Sequence, residues 1–256
     1  MTEWTALSPS QHRGKHHLPR DGYTFAQGQS VVGVFLAELP KLLPLYMLGF
    51  IQQGEQYTPV ALLGLGQHNL YVAPNGKWLG GYVPATLRGY PFTLANSETG
   101  EKVFAIDADH LSDDAGEPLF DEADKLTGKA AETFTFMQQC EQNRQATQQA
   151  VKALGDAGVI EPWPLKIERG EGHEPLTVNG LFRVNEKALN SLAPEVYATL
   201  KGGPMALAHA QLFSVSQMNQ LSGWAKFHAQ QGTTEAPENL DSVFDNDNDL
   251  EFDFDS

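Results

Sequence analysis

Apolar positions change their rhythm along this chain. Over the first hundred residues they come in short runs: Leu45 to Gln52 follows Pro44, and Val60 to Leu65 is closed by Gly64 and Gly66. Runs of that length between turn residues predict buried strands. Asn75–Gly76 lies between Leu70–Tyr71–Val72 and Trp78. Both turn residues tolerate positive φ, so the spacing predicts a tight hairpin that sets Tyr71 and Trp78 on neighbouring antiparallel strands. Pro84 suits the first turn of a short helix through Leu87, and Pro91 ends it by excluding the residue before it from helical dihedrals. Val103–Phe104–Ala105–Ile106 supplies another strand.

Beyond Gly128 the rhythm becomes helical. Phe134, Met137, Cys140, Thr147, Val151 and Leu154 repeat at helical spacing opposite a Gln-rich face, which predicts a helix from about 128 to 154 stopped by Gly155 and Gly158. Ile160 to Ile167 and Thr177 to Val184 read as a second pair of strands, and Glu186–Leu192 and Pro194–Leu200 as helices. Within Met205–Phe227 the alternation of Ala206, Ala208 and Ala210 leaves strand and helix unseparated. The whole predicts an α+β fold of mixed, mainly antiparallel sheets with packed helices. The body spans 1–228, with sub-lobes 1–126 and 127–228 as its natural subdivision, and 229–256 forms a tail. No internal repeat is present.

Composition narrows the classes. The chain has 256 residues, of which 41% are apolar, enough for a sizeable core. A single cysteine, Cys140, allows no internal disulfide. The run Val31 to Ile51 is the most apolar, yet Glu38, Pro40, Lys41 and Pro44 interrupt it, so no membrane span is expected. Met1–Thr2–Glu3–Trp4 leads into a polar, His-rich stretch rather than a secretory signal, and the expected location is the cytoplasm. A formal charge of −15 repels phosphate backbones and argues against a nucleic-acid partner.

That charge is uneven. After Lys226 there is no Lys or Arg, while nine of the thirty-two acids fall between Glu235 and Asp255. Such a segment is expected to be disordered when alone. Leu240, Val243, Phe244, Leu250, Phe252 and Phe254 are interleaved with those acids. The alternation suits a docking peptide, with Phe244, Leu250, Phe252 and Phe254 as its contacts on a protein or peptide partner that offers a basic surface. A purely solvating tail is the competing reading.

The search for known chemistry mostly returns exclusions. There is no G-x-S-x-G elbow and no phosphate-binding loop, and Gly64–Leu65–Gly66 lacks the third glycine of a dinucleotide fingerprint. C-x-x-C and H-E-x-x-H are absent, as is an H-x-D/E step at any of the eight histidines. His12, His16 and His17 cluster before Pro19, but Gly14 and Pro19 give little helical support for shared metal ligation, so neither metal nor cofactor is assigned. His12 also suits a plain structural role, a hydrogen bond that anchors the N-terminal strand.

Between Asn69 and Phe92 the aromatic density is high around a lone Arg. Trp78, Tyr82, Arg88 and Tyr90 could line a recognition pocket, with rings for stacking and a guanidinium for a carboxylate. Tyr46, Asn69 and Trp163 are weaker additions, and His12, the better candidate among the clustered histidines, is counted with the binding residues. The competing reading makes the rings core, with Arg88 closing a helix or pairing an acid.

These residues resemble a family signature. Asn69–Leu70–Tyr71–Val72, Gly76–Lys77–Trp78 and Tyr82–Val83–Pro84–Ala85–Thr86–Leu87–Arg88–Gly89–Tyr90–Pro91–Phe92 are similar to a phrase of the bacterial SapC proteins. Thr58–Leu65, Asn179–Leu189 and Pro204–Ser214 resemble further SapC stretches in the same order, whereas Pro44–Leu45–Tyr46 departs from the family's Tyr–Pro order. The likeness runs from the His12 region to about Trp224. It implies an accessory protein linked to surface-layer systems, to outer-membrane receptors and to halogenase-like or oxygenase-like enzymes. Three functions stay open: a non-catalytic adaptor that binds a protein or peptide, an enzyme built around His12, Arg88 and Tyr90, and a structural component of a surface layer. The oligomeric state is left open.

Overall fold

The computed structural model describes residues 3–96, 100–167 and 176–230. The acidic segment from 231 onward, with Phe244, Leu250, Phe252 and Phe254, lies outside the described residues. The architecture is α+β, and among the described residues every strand pairing is antiparallel. A five-stranded sheet runs in the order Ile160–Pro162, Leu181–Val184, Leu48–Gln53, Gln56–Leu62, Val31–Gly33. Its centre is the hairpin that pairs Leu48 with Ala61 and Gln53 with Gln56. Gly49 lies at the closest approach, since a Cβ there would stand 3.3 Å from the Phe182 carbonyl oxygen and 3.5 Å from the Trp163 ring.

A smaller sheet of Trp4–Ala6, Lys102–Asp107 and Phe92–Asn96 carries its own apolar cluster of Phe92, Phe104, Ile106 and Leu119. The helix Gly128–Asp156 serves both cores. At 29 residues it is about 44 Å long. Ala130, Phe134 and Met137 meet the smaller cluster, while Val151 and Leu154 pack against the large sheet. The predicted stripe is therefore only half-buried at Phe134, Met137 and Cys140, where the helix passes from one core to the other.

Helix Gly203–Ser214 resolves the ambiguity of the alternating alanines. Leu207, Ala208, Ala210, Gln211 and Ser214 are buried and Ala206 and His209 are exposed, so the buried positions follow the 3.6-residue period of a helix. It docks by polar bonds as well as apolar ones: Ser214 Oγ accepts from the Leu48 amide at 2.9 Å, and Gln211 Oε1 accepts from the Val184 amide at 2.9 Å. Helix Met218–Gln230 follows, with His228 Nε2 3.0 Å from the Leu70 carbonyl. Among the described residues no helix is long and apolar enough to cross a membrane.

Candidate functional site

The turn predicted at Asn75–Gly76 forms with Gly76 at φ 76°, and it closes on a single antiparallel bridge between Val72 and Trp78 rather than on extended strands. The bridge brings the rings of Tyr71 and Trp78 into a stack, 5.7 Å between centroids and 21° between planes. Asn69, 2% exposed, fixes the approach: its Oδ1 accepts from the Tyr71 amide at 2.9 Å and its Nδ2 donates to the Ala26 carbonyl at 3.2 Å. Tyr46 is fully buried and donates its hydroxyl to the Tyr82 carbonyl. Trp78 Nε1 donates to that carbonyl at 3.0 Å and to the Tyr46 oxygen at 3.1 Å. Tyr46 and Trp78 thus hold the Tyr82 carbonyl from beneath, while Asn69 fixes Tyr71, the ring stacked on Trp78.

On the outer side the Tyr82 ring meets two cations. The Arg88 guanidinium lies 5.3 Å from the Tyr82 centroid and 4.6 Å from that of Phe136, and Arg88 Nη2 donates to the Tyr82 hydroxyl at 3.2 Å. Lys41 Nζ is 5.5 Å from the same Tyr82 centroid. Arg88 closes the short helix Ala85–Arg88, which Pro84 precedes as expected, and Lys41 belongs to Leu39–Leu42. Both side chains are on exposed residues.

Beneath them lies a buried acid. Glu38, 5% exposed, accepts from the Phe35 amide at 2.9 Å through Oε1, and from the Ala85 amide at 2.8 Å and the Tyr82 hydroxyl at 3.0 Å through Oε2. Burial pushes its carboxyl above the ordinary range, against the pull of those donors and of the Arg88 charge. The Tyr82 hydroxyl is pushed up to about 12, first by burial and then by the Glu38 charge. Burial likewise pushes the nearby Cys140 thiol up to about 11, so it is held as the unreactive thiol.

A third cation borders the same helix. Arg20 donates to the Arg88 carbonyl at 3.1 Å and to the Tyr23 hydroxyl at 2.8 Å, with its guanidinium 4.4 Å from the Tyr23 centroid. Among the described residues Arg20, Lys41 and Arg88 form no ion pair. Arg13, Lys15, Lys129, Arg144, Lys152 and Arg183 each face a carboxylate.

Tyr90 and His12 lie in other arrangements. Tyr90 stacks on Phe25 at 3.9 Å, donates to Asp107 Oδ2 at 2.6 Å and sits 3.1 Å from His110 Nε2. Burial, then Asp107, raises its hydroxyl pKa. His12 is buried, and its Nδ1 lies 3.2 Å from both the amide and the carbonyl of Ser8 in the turn after strand Trp4–Ala6. No contact among the described residues joins His12 to Arg88 or Tyr90. Likewise no group of three or more His, Cys, Asp or Glu among them could hold a metal ion.

Sequence reasoning missed Glu38, Lys41, Arg20 and Phe136. A signal for the first two was present, because Glu38 and Lys41 interrupt the most apolar run of the chain, where a charge needs a partner. The model of the SapC family matches residues 7–221. This chain belongs to the SapC family. The matched span contains every residue of the cation–ring face, from Arg20 to Cys140, and in this SapC-family chain the signature stretch Asn69–Phe92 supplies Tyr71 and Trp78 of the aromatic support layer as well as Tyr82 and Arg88. Among curated proteins and among solved structures, nothing matches the chain.

Proposed function

We propose that this SapC-family chain is a non-catalytic adaptor that grips a protein or peptide partner. One observation carries the reading: an exposed guanidinium, in no direct ion pair among the described residues and joined to the buried Glu38 only through the Tyr82 hydroxyl, is packed between the rings of Tyr82 and Phe136. Arginine held in this way presents a planar fork to a carboxylate, and the rings beside it take an apolar or aromatic neighbour. Lys41 adds a second cation over the same ring. Meanwhile the one buried acid beneath is occupied by three donors, an arrangement suited to holding the face rigid rather than to moving protons.

The acidic tail is the second grip in this proposal and takes a basic surface on the partner. The cytoplasmic location belongs to the proposal, as does the link to surface-layer, receptor and halogenase or oxygenase systems, which rests on the family likeness. The enzyme reading around His12, Arg88 and Tyr90 finds no shared contact to support it. The test is affinity purification with mass spectrometry from the native host, comparing the intact chain with Lys41→Glu/Arg88→Glu. Partners recovered by the first and depleted at least fivefold by the second are expected. Equal recovery by both would remove the face from the function.

A further inference from the structure

We propose that the chain's own segment 231–256 is the resting occupant of the Lys41–Tyr82–Arg88–Phe136 face, held in cis and displaced when a partner with a basic surface takes the tail. This rests on the reading of that face as a binding surface.

Charge complementarity argues for this occupant. In a chain of net charge −15, Arg20, Lys41 and Arg88 lie around one short helix and form no direct ion pair among the described residues, the nearby Glu38 carboxylate being buried and bound by three other donors. The segment 231–256 holds nine acids and no Lys or Arg. Its apolar content fits as well. Leu250, Phe252 and Phe254 alternate with Asp249, Glu251, Asp253 and Asp255, so an extended backbone would set rings on one side and carboxylates on the other. A face of two rings with cations at its rim accepts that pairing.

Position argues for it too. Helix Met218–Gln230 runs along the support layer: midway, the Trp224 ring is 6.1 Å from Tyr71, which stacks on Trp78, and near its end His228 Nε2 is 3.0 Å from the Leu70 carbonyl. The chain therefore leaves the described body two residues beyond His228, beside Leu70 at the start of the loop that carries Tyr71 and Trp78. Twenty-six residues have a root-mean-square span of roughly 28 Å as a flexible coil. A tether of that kind gives a local concentration on the order of 1 mM, so a contact with a dissociation constant of about 0.1 mM would be roughly nine-tenths occupied. A partner that sequesters the tail frees the face, and the two grips are engaged together.

The experiment is zero-length carbodiimide cross-linking of the full chain, as an equal mixture of ¹⁵N-labelled and unlabelled protein, with mapping of the joined peptides by mass spectrometry. The expected result joins Lys41 to acids between Asp245 and Asp255 within one isotope. The yield falls at least fivefold in Phe252→Ser/Phe254→Ser, which leaves the body untouched, and in Arg88→Gln. Three outcomes overturn the proposal: no such cross-link, mixed-isotope cross-links that place a second copy on the face, or tail acids joined equally to Lys152 and Lys201. Arg88-dependent partner capture with no cis cross-link keeps the face and removes its resting occupant. Loss of both removes the binding reading as well.

Discussion

Replacing Glu38 by alanine tests the buried acid that supports the cation–ring face. The carboxylate accepts from two backbone amides and one hydroxyl, and Phe35 and Ala85 are themselves buried. Removing it leaves those two amides with no acceptor, at about 1–3 kcal/mol each, while the half-buried Tyr82 hydroxyl can turn to water. Against this, a carboxylate need no longer be withheld from solvent, an offset of about 1–3 kcal/mol. We expect a net loss of about 1–3 kcal/mol. Glu38→Gln keeps one acceptor and turns an amide N–H₂ against a donor, for a loss of about 1–3 kcal/mol. Urea unfolding at pH 7 with unchanged m-values measures both. An alanine variant within about 0.5 kcal/mol of the parent would refute the reasoning, because the amides would then have found other acceptors.

The sign of the pH effect follows from the same burial. The Glu38 carboxyl is raised above its ordinary value of 4.5 in the folded chain, so the native state binds more protons than the unfolded one in that window. Its contribution to stability therefore declines as pH climbs from 4.5 toward the folded value, and Glu38→Gln should flatten that decline. His17 works the other way. Its side chain is 4% exposed, neither ring nitrogen has a hydrogen-bond partner, and burial lowers its pKa below 6.5. Stability from His17 is present above 6.5 and is lost as pH falls from there toward the folded value; His17→Phe should show a smaller drop in urea midpoint between pH 7 and pH 5. Ser214→Ala leaves the buried Leu48 amide without its acceptor and should cost about 1–3 kcal/mol in the same assay. Tyr90→Phe keeps the stack on Phe25 but removes the hydroxyl between Asp107 and His110, so we expect a loss of about 1–3 kcal/mol with an unchanged far-ultraviolet dichroism spectrum.

Local features of this protein were legible in the chain itself. The helical spacing from Phe134 to Leu154 produced the long helix, Asn75–Gly76 produced the turn, and Pro84 preceded the short helix, because each depends on dihedral preference and side-chain period within a few residues. What the tertiary structure alone decided was which rings face in and which charges stay unpaired. Tyr46 and Trp78 lie under Tyr82 because the turn after Leu39–Leu42 packs beneath the 71–78 loop, a contact between segments more than twenty residues apart. Phe136 reaches Arg88 only because the long helix crosses between two cores. Burial and electrostatic pairing are properties of neighbours in space. No periodicity in one dimension encodes whether a given arginine will meet a carboxylate or two aromatic rings.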